Sequence, residues 1–189
     1  MAYLNATSAV NRVKLFIIKA SDATVVNNEI KPVELDFYTA VSNATGVATL
    51  NGTTDPILVG GLQDITINNA NGSFRWKQLD QSGENVITTN ATNTLSGNFV
   101  MDQEDFFGDS TQTAGHAGAE GIFKLSNERT EVAFLAAPTG VVDEQTVFMG
   151  TGFISALAPT VSADSPVWVS PITIEVNGDY ILKKTTLAT

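Results

Sequence analysis

QTVFMGTGFISALAPTVSADSPVWVSPITIEVNGDYIL, residues 145–182, decides how the chain is read. Two apolar runs rich in β-branched residues, 146–157 and 167–181, flank a segment of strand-breaking residues, APTVSADSP. In the second run Ile172, Ile174 and Val176 alternate with Thr173, Glu175 and Asn177. A period of two marks a half-buried strand. The pattern predicts two long antiparallel strands joined by a short loop. Asn177-Gly178-Asp179 reads as a turn or bulge that ends the second strand. Upstream, GAEGIFKLSNERTEVAFLAAP predicts one short helix, with Ala119, Ile122, Phe123 and Ser126 on one face. A strand over 131–136 follows, closed by Pro138.

Composition narrows the class. The chain has 189 residues, enough for one domain over 1–189 with a sizeable core. It is 43% hydrophobic and only 16% charged, the reverse of a disordered chain. Its polarity comes from Asn, Thr, Ser and Gln, which points to a mainly β protein with many loops. There is no cysteine, which excludes disulfides and cysteine-based metal sites. The N-terminal MAYLNATSAVNRVK lacks a basic segment followed by a long apolar core, so secretory export is not expected. The net charge of −10 makes phosphate binding unfavourable.

Outward from the decisive stretch, NRVKLFIIK (11–19) reads as a strand with apolar residues on both faces, either central in a sandwich or covered by a neighbour. Residues 21–28 read as a turn, and PVELDFY (32–38) as a second strand. The small and polar segment 39–55 exceeds a tight hairpin turn and reads as a long loop or an arm that orders on a partner. In PILVGGLQDITIN (56–68), Gly60-Gly61 divides two strand pieces, with Asp64, Thr66 and Asn68 on the polar face. Residues 69–72 and 80–93 read as turns, with FRWKQL (74–79) as a strand between them. TLSGNFVM (94–101) is another strand, in which Gly97 signals a bulge or a close backbone contact. DQEDFFGD (102–109) reads as a solvated acidic turn whose Phe106 and Phe107 tuck into a neighbour. The expected core includes Leu15, Ile17, Leu35, Phe37, Ile65, Ile67, Trp76, Leu95, Phe99, Ile122, Phe123, Phe134, Phe148, Phe153, Ile172 and Ile174.

Catalytic chemistry has no foothold. His116 is the sole histidine, placed in a Gly-rich loop and read as exposed. One histidine without cysteine excludes multi-His zinc sites and Cys–His pairs. No Gly-x-Ser-x-Gly elbow or P-loop occurs, and Gly150-Thr151-Gly152 lies inside a strand. The carboxylates around Phe106-Phe107 lack the spacing of a calcium loop. Arg75-Trp76-Lys77 interleaves basic and aromatic residues as single-strand nucleic-acid binders do, but it is isolated in an acidic chain. No enzyme activity, metal, cofactor or small-molecule substrate is expected.

Helix, strand and closing strands in this order, with Gly150, Gly152, Ser155, Ser170, Thr173, Ile174, Val176 and Gly178, resemble the major tail tube protein of long-tailed bacteriophages. The likeness covers the last third well and the rest by strand order. It implies a two-sheet antiparallel β-sandwich or half-barrel with one short α-helix that completes a multi-subunit β-barrel. It also implies homo-hexameric rings stacked into a tube, with tape measure and tail-end proteins as partners. Double-stranded DNA would pass through without specific binding. The location would be the virion tail, assembled in the host cytoplasm. On this reading Val41, Val47, Leu50, Phe106 and Phe107 are the candidate inter-subunit contacts. Asp64, Thr66, Asn68 and Glu175 are the candidate channel-lining residues, loop 39–55 reaches the next ring, and 183–189 forms a terminal arm. The alternative is a β-sandwich capsid decoration or adhesin-like binding protein, which would share the Asn/Thr-rich β composition.

Overall fold

The computed structural model describes residues 13–26, 29–32, 41–42, 47–48, 56–77, 83–138, 146–161 and 167–184. In chain order they form β1 (Lys14–Lys19), β2 (Ala23–Val26), β3 (Glu29–Pro32), β4 (Val41–Ser42), β5 (Val47–Ala48), β6 (Ile57–Leu58), β7 (Leu62–Trp76) and β8 (Asn85–Val100). Then come α1 (Gln103–Phe107), α2 (Ala117–Asn127), β9 (Glu131–Ala137), β10 (Thr146–Leu157), β11 (Val169–Val176) and β12 (Ile181–Lys184). Eight strands make one open sheet in the order β6-β1-β9-β10-β11-β8-β7, with β12 added on β10. Its ladders are antiparallel throughout. β2 with β3, and β4 with β5, form two small hairpins. The mainly antiparallel β expectation therefore holds. The described strands make one large sheet rather than two facing ones, and two helices replace the single one expected.

The extra helix is α1. Asp102 caps it, its Oδ1 accepting the Glu104 N–H at 2.9 Å. Five residues are too few to show a 3.6-residue period, so DQEDFF reads as a turn in sequence. In α2 the buried side chains are Ala117, Ile122 and Leu125, so Ile122 alone of the predicted face is buried. Gly121 (φ 73°) breaks the helix and resets its phase, so a face counted across it comes out rotated.

β1 is covered on both sides, as its sequence implies. Leu15 and Ile17 join Phe99, Phe134, Ile172 and Ile174 in a core roofed by α1 and α2. Phe16 and Ile18 join Leu135, Val147 and Met149 beneath the other face. Trp76, Phe123 and Phe153, expected in the core, are instead 37%, 46% and 41% exposed. Leu35 and Phe37, with most of the 32–38 strand, lie outside the described residues.

β10 is where the sheet forks. Its first half pairs with β12 and its second half with β11, along the same edge. Gly150 and Gly152 mark the fork. A Cβ at Gly152 would stand 2.1 Å from the Glu175 carbonyl oxygen, and one at Gly150 would stand 2.7 Å from the Phe134 ring. The Asn177 N–H donates to the Thr151 carbonyl at 2.7 Å. Asn177-Gly178-Asp179 is thus a corner that returns the chain to β10. It ends β11 at Val176, as expected, and Lys183 and Lys184 of the predicted terminal arm pair in β12.

β7 and β8 are longer than predicted. The residues read as turns at 69–72 and 85–93 stay in the ladder as far as Trp76 and Asn85. Register shifts between Leu62 and Asp64, and between Ala70 and Gly72, absorb the irregular residues. Gly97 sits opposite the first shift, where a Cβ would meet the Asp64 carbonyl oxygen at 2.4 Å. The 21–28 turn is likewise corrected. It holds a single 3-10 turn, Ala20–Asp22, followed by β2 of a hairpin.

An uncovered polar face and an open edge

Cross-strand partners share a face, so register places each candidate channel residue. Asp64, Asn98 and Pro171 form one row; Thr66, Ser96 and Thr173 form the next. Asn68, Thr94, Glu175 and Phe153 form the third. All four sequence-predicted residues, Asp64, Thr66, Asn68 and Glu175, thus lie together on the side of the sheet opposite Ile65, Ile67, Leu95, Ile172 and Ile174. All four are exposed, and Phe153 is an apolar member that sequence reading had assigned to the core. Its neighbours in alternation, Gly152 and Ile154, are buried, which is the one signal that could have placed it.

The charge on these rows is acidic. Asp64 and Glu175 are the carboxylates, and the rows contain no Lys or Arg. Asp64 is held in place: its Oδ1 accepts the Asn98 N–H at 3.0 Å and its Oδ2 accepts the Asn98 side-chain amide at 2.7 Å. Beyond the second register shift, Arg75 meets Glu84 at 3.7 Å, both side chains largely exposed. A pair so exposed contributes little stability.

The sheet leaves one long edge. Among the described residues β7 pairs with β8 alone, so a strand of 15 residues offers its outer backbone N–H and C=O groups. The opposite border is β6, two residues long, on β1. Such edges drive strand addition between chains unless they are covered.

The candidate contacts divide. Phe107 is 54% exposed, whereas Phe106 is 1% exposed and stacks with Phe99 and Phe123 inside its own chain. The Phe106 and Phe107 rings meet edge to face at 4.9 Å, and both lie against Phe123. Val41 and Val47 fall in β4 and β5, so part of the 39–55 loop is a short hairpin; Leu50 lies outside the described residues. His116 is half-buried rather than exposed, with Nδ1 at 2.9 Å from Asp22 Oδ2. Among the described residues no group of three His, Asp or Glu side chains is placed to hold a metal ion.

Three carboxylates near α1 and α2 depart from ordinary acidity, and Asp109 is held down by the Thr111 N–H and hydroxyl. Burial pushes Glu120 up, but Lys19 at 2.8 Å and Lys124 at 3.2 Å outweigh it, and the net displacement is downward. Asp105 is pushed up to about 6, chiefly by burial, with the Gly60 N–H opposing and Asp102 and Glu104 adding repulsion. Its folded value lies above the ordinary 3.8, so its contribution to stability is full below about 3.8 and is lost as pH rises through about 6. Asp105→Asn keeps an oxygen for the Gly60 N–H. The variant is expected to melt higher than wild type at pH 7.5 and level with it at pH 4. Parallel melting curves at both pH values count against this assignment.

No known protein family matches the chain, and no curated protein does. Solved structures do. The SPP1 tail tube, determined by solid-state NMR and cryo-EM, is 12% identical, with a TM-score of 0.50 over 93% of this chain and 78% of that one. The tail of an empty gene transfer agent particle, refined with C6 symmetry, is 13% identical with a TM-score of 0.47, covering 72% of this chain and 92% of that one. A chain of the native gene transfer agent virion is 12% identical with a TM-score of 0.44, covering 71% and 99%. The open antiparallel sheet described above is thus a tail tube fold, on the likeness to the SPP1 tail tube.

Proposed function

We propose that the chain is a structural virion protein, the subunit of a phage tail tube. The observation that carries this reading is the pairing of an uncovered polar sheet face with a long open edge in β7. A polar face by itself also suits a soluble monomer, but a long unpaired edge does not. A ring gains from both, because strand addition from copy to copy satisfies the edge and turns the polar faces toward one axis. Six copies per ring and stacking of rings follow the resemblance to the tail tube family. The bore then carries Asp64 and Glu175 in repeated rings, so along these rows DNA phosphates meet acids and no Lys or Arg. Tape measure and tail-end proteins would cap the stack, and assembly would take place in the host cytoplasm. Negative-stain images of the purified, concentrated chain are expected to show rings or tubes with a central channel. Compact monomers or trimers at every concentration would instead favour a decoration or adhesin-like module.

A further inference from the structure

The far end of the β7–β8 hairpin is apolar where the chain has no core to offer. Phe74 and Trp76 are 56% and 37% exposed, and their rings stack at 6.0 Å. Ile87, opposite Phe74 in register, is 52% exposed. Arg75 lies between the two aromatics and meets Glu84, and Lys77 follows Trp76. At the other end of β8 lies a cavity of about 460 Å³ lined by Met101, Asp102, Gln103, Phe107, Val167 and Trp168. Phe107 and Trp168 on its wall are 54% and 44% exposed. Its acidic side is Asp102, followed by Glu104 and Asp105 along α1.

We propose that the hairpin tip of one copy docks into this α1–β11 cavity of a second copy. The proposal rests on the tube reading above and adds which surfaces meet. Three arguments support a second copy as the occupant. The tip is aromatic with Lys77 beside it, and the cavity is aromatic with Asp102 on its wall. The two surfaces sit at opposite ends of a 16-residue strand, about 50 Å apart at the usual rise per residue, so a chain cannot fill its own cavity. A contact between unlike surfaces also repeats head to tail, generating closed rings or open stacks, as a tube requires.

The chain has no native cysteine, so introduced thiols report on this contact directly. Phe74→Cys and Gln103→Cys are made in separately tagged full-length chains, mixed before assembly and then oxidised. A disulfide joining the two tags is expected in assembled material, with none from Phe74→Cys alone. Trp76→Ser, at an exposed site, is expected to fold normally by circular dichroism. It should raise the concentration needed for assembly about thirtyfold, the loss of one interface hot spot. Well-formed tubes without the cross-link, or a cross-link from Phe74→Cys to a Ser96→Cys control instead, overturn the docking and leave the tube standing. So does assembly of Trp76→Ser at the wild-type concentration. A chain that stays monomeric under all conditions removes both.

Discussion

Gly121→Ala is expected to lose roughly 3 kcal/mol or more of stability, enough to unfold a marginal domain. Gly121 has φ 73° and ψ 162°, a region that side chains with a Cβ scarcely enter. A Cβ there would stand 2.3 Å from the Gly108 nitrogen, 2.6 Å from the Phe107 carbonyl carbon and 2.7 Å from the Phe106 carbonyl oxygen. These are backbone atoms, so no rotamer change relieves the clash. Gly108 (φ 99°) meets α2 from the other side, its own Cβ position lying 2.3 Å from the Ala119 carbonyl oxygen. The two glycines let α1 and α2 touch backbone to backbone. A methyl group between them pushes α1 away and draws Phe106 out of the core. Urea melts are expected to show the loss. Gly83→Ala, with nothing within 4 Å of its Cβ, serves as a neutral control within about 0.5 kcal/mol. Equal midpoints for the two variants would mean that the α1–α2 contact is not as described.

The strands that bury one face were legible in the sequence because burial imposes a period. Ile172 and Ile174 in β11, and Leu95 and Phe99 in β8, were placed correctly and are all buried. Phe153 and Trp76 were misplaced by the same rule: it assumes that a large apolar residue marks the core, and these two mark exposed positions. The outer half of β7–β8 was illegible for a related reason. Asn69, Asn71, Gly72 and Ser73 are turn formers when judged locally. Asn69, Gly72 and Ser73 stay extended because each has a partner across the ladder, and Asn71 falls in the register shift between them, a non-local cause. The second helix escaped notice because a cap and five residues leave no period to detect.

The polar face was the part of the site most open to sequence reading. Asp64, Thr66 and Asn68 alternate with Ile65 and Ile67, so their common side is fixed by the pleat. Joining Glu175 to them required the β11–β8–β7 register, which no local pattern contains. The open edge is likewise a property of strand order. Nothing in LQDITINNANGSFRW states that its outer side lacks a partner within the described chain.

Reversing the charge of that face is expected to change what an assembled tube does with DNA. Thr66 and Glu175 are exposed and lie in adjacent rows. Thr66→Lys adds one positive charge and Glu175→Lys adds two, about eighteen per ring if six copies assemble. Wild-type tubes, with acids and amides on this face, are expected to leave short duplex DNA in solution at physiological salt. Tubes of the double variant are expected to retain it. Retention should fall steeply as salt rises, because each phosphate contact releases counterions that added salt then opposes. Position in the bore is tested by nuclease. DNA held inside the variant tube is protected, whereas DNA held by Glu128→Lys on the outer side of α2, a residue with a half-exposed side chain, is digested. Nuclease-sensitive DNA on the Thr66→Lys/Glu175→Lys tubes would put this face on the outside. The acids would then serve solubility, and the bore would have to be lined by another part of the sheet.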